Sequence, residues 1–204
     1  MTETLELRWF FKGVIKTEIL QYFRDNQIAF IEENPRTDWY LLSDKLSGIK
    51  LRGTSLEFKR LTDTVKNYSI VPPITGNIER WTKLSLALQQ NDDTALIERG
   101  SLPDWIAVEK TRSLAKYKIS VDGIIVPVTI EERPAEACAL EICSIKVFHQ
   151  VWWTICFEAS GTKGSLQKNM EITLKQLLKQ NNLPFLKAEN SFGYPQFLIN
   201  LTFP

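Results

Sequence analysis

Charged residues recur at short, regular spacing on otherwise apolar stretches of this sequence: Glu6 with Arg8, Lys50 with Arg52, Glu57 with Lys59, Glu79 with Lys83, and Lys110 with Arg112. Alternate residues of a strand share a face, so each pair projects from one side if its segment is extended. Guanidinium and ammonium groups neutralise phosphate oxygens through charge-assisted hydrogen bonds. Gathered on one surface, Arg8, Lys50, Arg52, Lys59, Lys83, Lys110 and Arg112 would grip a polyanion. Carboxylates in the same space, Glu6, Glu57, Glu141 and Glu158 with Glu79 in support, would hold the basic groups in place or bind Mg²⁺ or Mn²⁺, hard ions that take oxygen ligands. Such an ion could bridge phosphate oxygens and position a water for attack.

The elements that must carry these residues read mostly with period two. In LELRWFF, Leu5, Leu7, Trp9 and Phe11 oppose Glu6 and Arg8. IKLRG and LEFKR form a hairpin around Gly53-Thr54-Ser55. Further strands are expected near Trp39–Leu42, Asn77–Leu88, Trp105–Arg112, Val126–Glu131, Ala139–Val147, Val151–Ala159 and Gln196–Leu201. Helical spacing marks Val14–Asn26 and Ser165–Asn182, the latter with Ser165 as a cap, and a short helical turn is expected over Thr94–Arg99. The class is α+β: a large, mostly antiparallel sheet with two main helices outside it, in one domain over residues 1–204.

Two arrangements fit the charged faces. A solvated outer face would carry cross-strand ion pairs. A closed sheet would turn the charges inward, and burial of so many costs several kcal/mol apiece unless each is paired, hydrated or holding a ligand. Parity does not decide every strand, because Lys110 and Arg112 fall in line with Ile106 and Val108.

Composition narrows the function. With 25 Lys+Arg against 24 Asp+Glu, the net charge of +1 recommends neither nucleic acid nor a membrane as partner. A single histidine, His149, excludes multi-histidine zinc sites; it is expected in a turn or at a strand end. Cys138, Cys143 and Cys156 contain no C-x-x-C and read as buried small hydrophobes in a reducing, cytoplasmic setting. The start, MTETLELRWF, lacks a signal-peptide pattern, and no uncharged run is long enough to span a bilayer. No glycine spacing matches a P-loop or Rossmann turn. Trp153, Ile155 and Phe157 are expected in the core, Trp152 is a candidate ligand contact, and Trp81 is a plug or a stacking surface.

In order along the chain, TLELR (Thr4–Arg8), IKLR (Ile49–Arg52), LEFK (Leu56–Lys59), IERWTK (Ile78–Lys83), VEKTR (Val108–Arg112), TICFEAS (Thr154–Ser160), the helix after Gly164 and SFGYPQFL (Ser191–Leu198) resemble the CYTH, or triphosphate tunnel metalloenzyme, superfamily. That superfamily includes thiamine triphosphatases, class IV adenylyl cyclases and inorganic triphosphatases. The resemblance implies an eight-stranded, mostly antiparallel closed β-barrel, a tunnel, with helices packed outside, binding triphosphate with Mg²⁺ or Mn²⁺. It implies metal-binding and catalytic roles for Glu6 and Glu158. Thr4 and Ser160 stand where the family motifs carry carboxylates, and Arg8 stands where they carry lysine. Metal affinity depends on carboxylate count, so the expectation is a small phosphorylated anion bound in a charged tunnel with impaired catalysis. An active Mg²⁺- or Mn²⁺-dependent triphosphatase and a non-catalytic interaction scaffold are the alternatives.

Overall fold

The computed structural model describes residues 1–69, 71–88, 104–178 and 183–203. The helical turn expected over Thr94–Arg99 lies outside them. Ten strands form one sheet: β1 (Thr2–Lys12), β2 (Ile31–Glu32), β3 (Arg36–Asp44), β4 (Ser47–Arg52), β5 (Ser55–Ser69), β6 (Thr75–Ala87), β7 (Trp105–Ile119), β8 (Ile125–Val128), β9 (Ala137–Val147) and β10 (Gln150–Ser160). Among the described residues, three α-helices accompany them: α1 (Thr17–Asp25), α2 (Leu166–Leu177) and α3 (Tyr194–Thr202). Neighbouring strands pair antiparallel in the order β7-β3-β4-β5-β6-β1-β10-β9, and β7 then pairs with β9, closing a ring of eight strands.

The length of β7 makes closure possible. Its first part pairs with β3, from Leu41 opposite Trp105 to Arg36 opposite Lys110. From Glu109 onward it pairs with β9, ending with Lys118 opposite Ala137. One long strand therefore has both neighbours, and β2 and β8 add short extensions to it.

Alternation along the strands separates two environments. Outward residues of β1 and β10, including Leu7, Trp9, Ile155 and Phe157, are fully buried in a core completed by Tyr22 and Phe23 of α1 and Leu166, Met170 and Leu174 of α2. Burial of each large apolar side chain contributes about 1.5–3 kcal/mol, so this layer is the main source of stability. The face turned into the ring is apolar at one end, where Phe10, Tyr40, Val108, Ile145 and Val147 meet Phe197 and Leu198 of α3. Phe10 and Phe197 stack there with centroids 4.1 Å apart. Further along the same face the residues become charged. The mixed parity of β7 has this cause: Ile106 and Val108 meet the apolar end under α3, and Lys110 and Arg112 lie beyond it.

Three local readings need correction. The segment expected as a strand over Gln196–Leu201 is helix α3. Pro195 stands at its start, and Phe197, Leu198 and Leu201 follow at spacing that makes a helical stripe against the ring. Ser165 occupies the position before α2 without a side-chain cap; its hydroxyl donates instead to Glu136, with the Thr162 carbonyl 2.9 Å away as the other acceptor in reach. Trp152 packs against Phe197 within the apolar end and does not face the charged cavity. Other readings hold: Gly53, at φ +51°, begins the β4–β5 turn, His149 sits in the β9–β10 turn, and the three cysteines are buried and free. Among the described residues no helix is long and apolar enough to cross a membrane.

Candidate functional site

Inside the ring, below the apolar end, lies a cavity of about 200 Å³ walled by all eight strands and the start of α3. Its cations come from six of those strands: Arg8 from β1, Arg36 from β3, Lys50 and Arg52 from β4, Lys59 from β5, Lys83 from β6, and Lys110 and Arg112 from β7. Four carboxylates, Glu6, Glu57, Glu141 and Glu158, line it with them. Even with Glu33, Asp38 and Glu79 counted behind the wall, cations outnumber carboxylates.

The charges fall into linked groups. Asp38, with no exposed side-chain surface, accepts from Arg52 at 2.8 Å and Lys110 at 2.9 Å, and Arg36 lies 3.4 Å away. Glu141 bridges Arg8 and Arg112, each at 2.6 Å, and Glu33 joins Arg112 to Arg36 at 2.9 and 2.7 Å. Glu57 holds Lys50 at 3.0 Å and Lys83 at 3.1 Å. Lys59 donates to Glu6 and lies 3.7 Å from Glu158. Lys110 also donates to the Tyr40 hydroxyl at 2.7 Å and sits 3.8 Å from the centre of the Tyr194 ring.

These neighbours set the protonation states. Burial alone would raise the carboxyl of Asp38, but Lys110, Arg52 and Lys50 hold it well below the usual carboxylate range. Glu141 is likewise held down by Arg8 and Arg112 against the effect of burial, and Glu57 falls to about 2 through Lys50 and Lys83. Lys50 behaves differently. Burial, then the charge of Arg52, lowers its ammonium to about 7, and the nearby carboxylates do not restore it. Around it the ion pairs leave positive charge in excess: Lys50 and Lys83 share Glu57, and Arg52 and Lys110 share Asp38. Among the described residues, three donors of lining residues, Arg8 Nε, Arg36 Nε and the Tyr194 hydroxyl, are buried without a hydrogen-bond partner, although Arg36 Nε lies 3.4 Å from Asp38. An unsatisfied buried donor costs about 1–3 kcal/mol, which an incoming anion's oxygen would relieve.

Glu79 lies behind the wall. It accepts from Trp81 Nε1 at 3.1 Å and from the Gly193 N–H at 3.2 Å, just before α3. A Cβ on residue 193 would come within 2.7 Å of the Glu79 carboxylate and 2.8 Å of the Trp81 ring, so only glycine permits this approach. Burial, then the adjacent Glu6, raises Glu79 to about 7 from 4.5. The folded chain thus binds this proton more tightly than the unfolded chain does. Its contribution to stability is complete below the unfolded value and lost as pH rises through the folded one. Glu79→Gln is expected to remove a pH-dependent loss on the order of 2–3 kcal/mol between about pH 5 and pH 8. Urea unfolding at both pH values tests this, and identical pH slopes for the two proteins would contradict the assignment.

The metal-binding expectation meets an obstacle in the same region. Glu158, Glu6 and Glu79 lie opposite one another on β10, β1 and β6, a row of three carboxyl groups. One oxygen of Glu6 accepts from Lys59, the other lies 3.8 Å from Arg8, and Glu158 also approaches Lys59. The two carboxylates expected to hold Mg²⁺ or Mn²⁺ therefore already share an ammonium. Among the described residues no group of three or more His, Cys, Asp or Glu is arranged to hold a metal ion. As they stand, these side chains do not fit a divalent-ion site.

All seven basic residues singled out in the sequence, and Glu6, Glu57, Glu141 and Glu158, meet at this cavity; Glu79 supports it from behind. Trp81 also lines it, 2% exposed. Sequence reasoning missed Arg36, Asp38, Tyr40 and Tyr194. The first three form one period-two row in RTDWY, and the strand expected to begin at Trp39 left out its charged half. A second cavity, about 490 Å³, shares Arg112 and Glu158 with the first and adds Lys116 and Arg133.

No protein-family model matches the chain, and no curated protein matches it. Among solved structures, the chain is similar to a conserved hypothetical protein from Pyrococcus furiosus, with 12% identity, 92% of this chain and 94% of the other covered, and a TM-score of 0.47. It is also similar to the PH1819 protein from Pyrococcus horikoshii OT3, with 13% identity, 97% and 99% covered, and a TM-score of 0.46.

Proposed function

We propose that the ring is a CYTH-like tunnel barrel that binds a small polyanionic phosphorylated ligand of the triphosphate class, with turnover impaired. One observation carries the reading: eight cations from six strands converge on a single cavity. Carboxylates prearrange them, so little side-chain ordering remains to oppose binding. The ligand would exchange hydration for charge-assisted hydrogen bonds and would partner the idle donors of Arg8 and Tyr194. Glu6 and Glu158, the residues whose roles the resemblance supplies, are engaged by Lys59, which is why turnover is proposed to be impaired.

The test is thermal unfolding with tripolyphosphate or ATP, with and without Mn²⁺. Ligand at about a hundred times its dissociation constant adds about 2.7 kcal/mol, a rise of roughly 5–10 °C for a chain of this size. Arg52→Ala should lower the affinity about tenfold or more, since a hydrogen bond to a charged group contributes about 1.5–3 kcal/mol. The pairing of every lining cation with a carboxylate also suits a charge network serving only stability, as in an interaction scaffold. That second reading predicts no shift with any small anion, and such a result would replace the first.

A further inference from the structure

Divalent ions normally accompany bound polyphosphates because the anion and its carboxylate neighbours repel one another. Here that repulsion is met from within the chain. Glu6 and Glu158 face each other across β1 and β10, and the Lys59 side chain from β5 reaches both, donating to Glu6 and standing 3.7 Å from Glu158. The Lys59 side chain is only 24% exposed, and the Glu6 side chain 8%. An ammonium occupies the space between two carboxylates that a divalent ion would need.

We propose that Lys59 is the resident cation of the Glu6–Glu158 pair, and that the cavity takes its anion free of metal, not as a magnesium chelate. The ligand clause rests on the polyanion reading above; the assignment of Lys59 does not. A metal-free polyanion keeps its full charge, which suits a wall where cations are in excess around Lys50, Arg52 and Lys110. A chelate would bring its own dication against that wall and against Lys59. Mg²⁺ should therefore compete for the ligand and oppose binding.

Two titrations test this. Tripolyphosphate is titrated calorimetrically into the wild-type protein in EDTA and in excess Mg²⁺, and Mn²⁺ alone is titrated into wild type, Lys59→Met and Lys59→Gln, with circular dichroism selecting the variants that fold. The expected result is binding in EDTA that weakens several-fold in Mg²⁺, no Mn²⁺ binding by wild type, and Mn²⁺ binding at least about tenfold tighter once the ammonium is removed, in the range of simple carboxylate sites at about 10⁻⁴–10⁻³ M. Tighter tripolyphosphate binding with Mg²⁺, or Mn²⁺ binding by the wild-type protein, overturns the proposal. Absence of tripolyphosphate binding in both conditions removes the polyanion reading and the ligand clause with it. The Lys59 assignment is then supported if a folded variant gains Mn²⁺ binding and overturned if neither variant does.

Discussion

Asp38→Ala is expected to lower stability by about 3–5 kcal/mol, which is the usual consequence of removing one partner from a buried ion pair. Asp38 has no exposed side-chain surface, and three cations, Arg36, Arg52 and Lys110, converge on it. Its loss would leave the Lys110 ammonium, 5% exposed, with the Tyr40 hydroxyl and the Tyr194 ring as partners. For a chain of this size the midpoint of thermal unfolding should fall by roughly 10 °C. A second change, Lys110→Met, should recover part of the loss, because the unpaired charge and not the missing carboxylate is the larger cost. A loss below about 1 kcal/mol would place this network among ordinary surface ion pairs. The pH dependence has a definite sign. Because the carboxyl of Asp38 is held low in the folded chain, its contribution is present at neutral pH and is lost as acid protonates it.

Binding of tripolyphosphate at about pH 8 is expected to draw close to one proton from solution through Lys50. Its ammonium is held at about 7 by burial, by Arg52 and by Lys110, with Asp38 and Glu57 acting in the opposite direction. An anion among these groups adds the negative charge that the wall lacks and returns Lys50 toward its ordinary value of 10.5. At about pH 8 the free protein carries roughly a tenth of a proton on Lys50, so nearly a whole one is taken up. The contribution of this residue to affinity should weaken about a hundredfold from pH 6 to pH 9. Calorimetry in buffers of different ionisation enthalpy measures the uptake. Lys50→Met supplies the control, since protonation of the ligand and of Glu79 is common to both proteins. If uptake is the same in wild type and variant, Lys50 is not the group that senses the anion.

Much of the site was legible because strands translate sequence into space with a period of two. Glu6 with Arg8, Lys50 with Arg52, and Glu57 with Lys59 each needed only an extended backbone to share a face, and each pair lines the cavity. Asp38 shows where the reading stopped. A lone aspartate between Thr37 and Trp39 carries no signal of its own, and its importance comes from Arg52 and Lys110 on two other strands. Tyr194 was missed for a related reason. Its segment carries no charge, and whether such a run is strand or helix depends on what it packs against, here the apolar end of the ring beside Phe10.

The sequence by itself determined the α+β class, the strands that carry charge, the apolar faces of Leu5, Leu7 and Trp9 and of Trp153, Ile155 and Phe157, and the seven basic residues that those strands carry. These are properties of alternation and composition, which act over a few residues. Only the tertiary structure decided which way the charged faces point, because closure depends on β7 pairing with both β3 and β9, contacts between residues far apart in the chain. It also decided that the Lys59 ammonium lies between Glu6 and Glu158. Local pattern places a lysine on a face; the strand opposite decides which carboxylates it must neutralise.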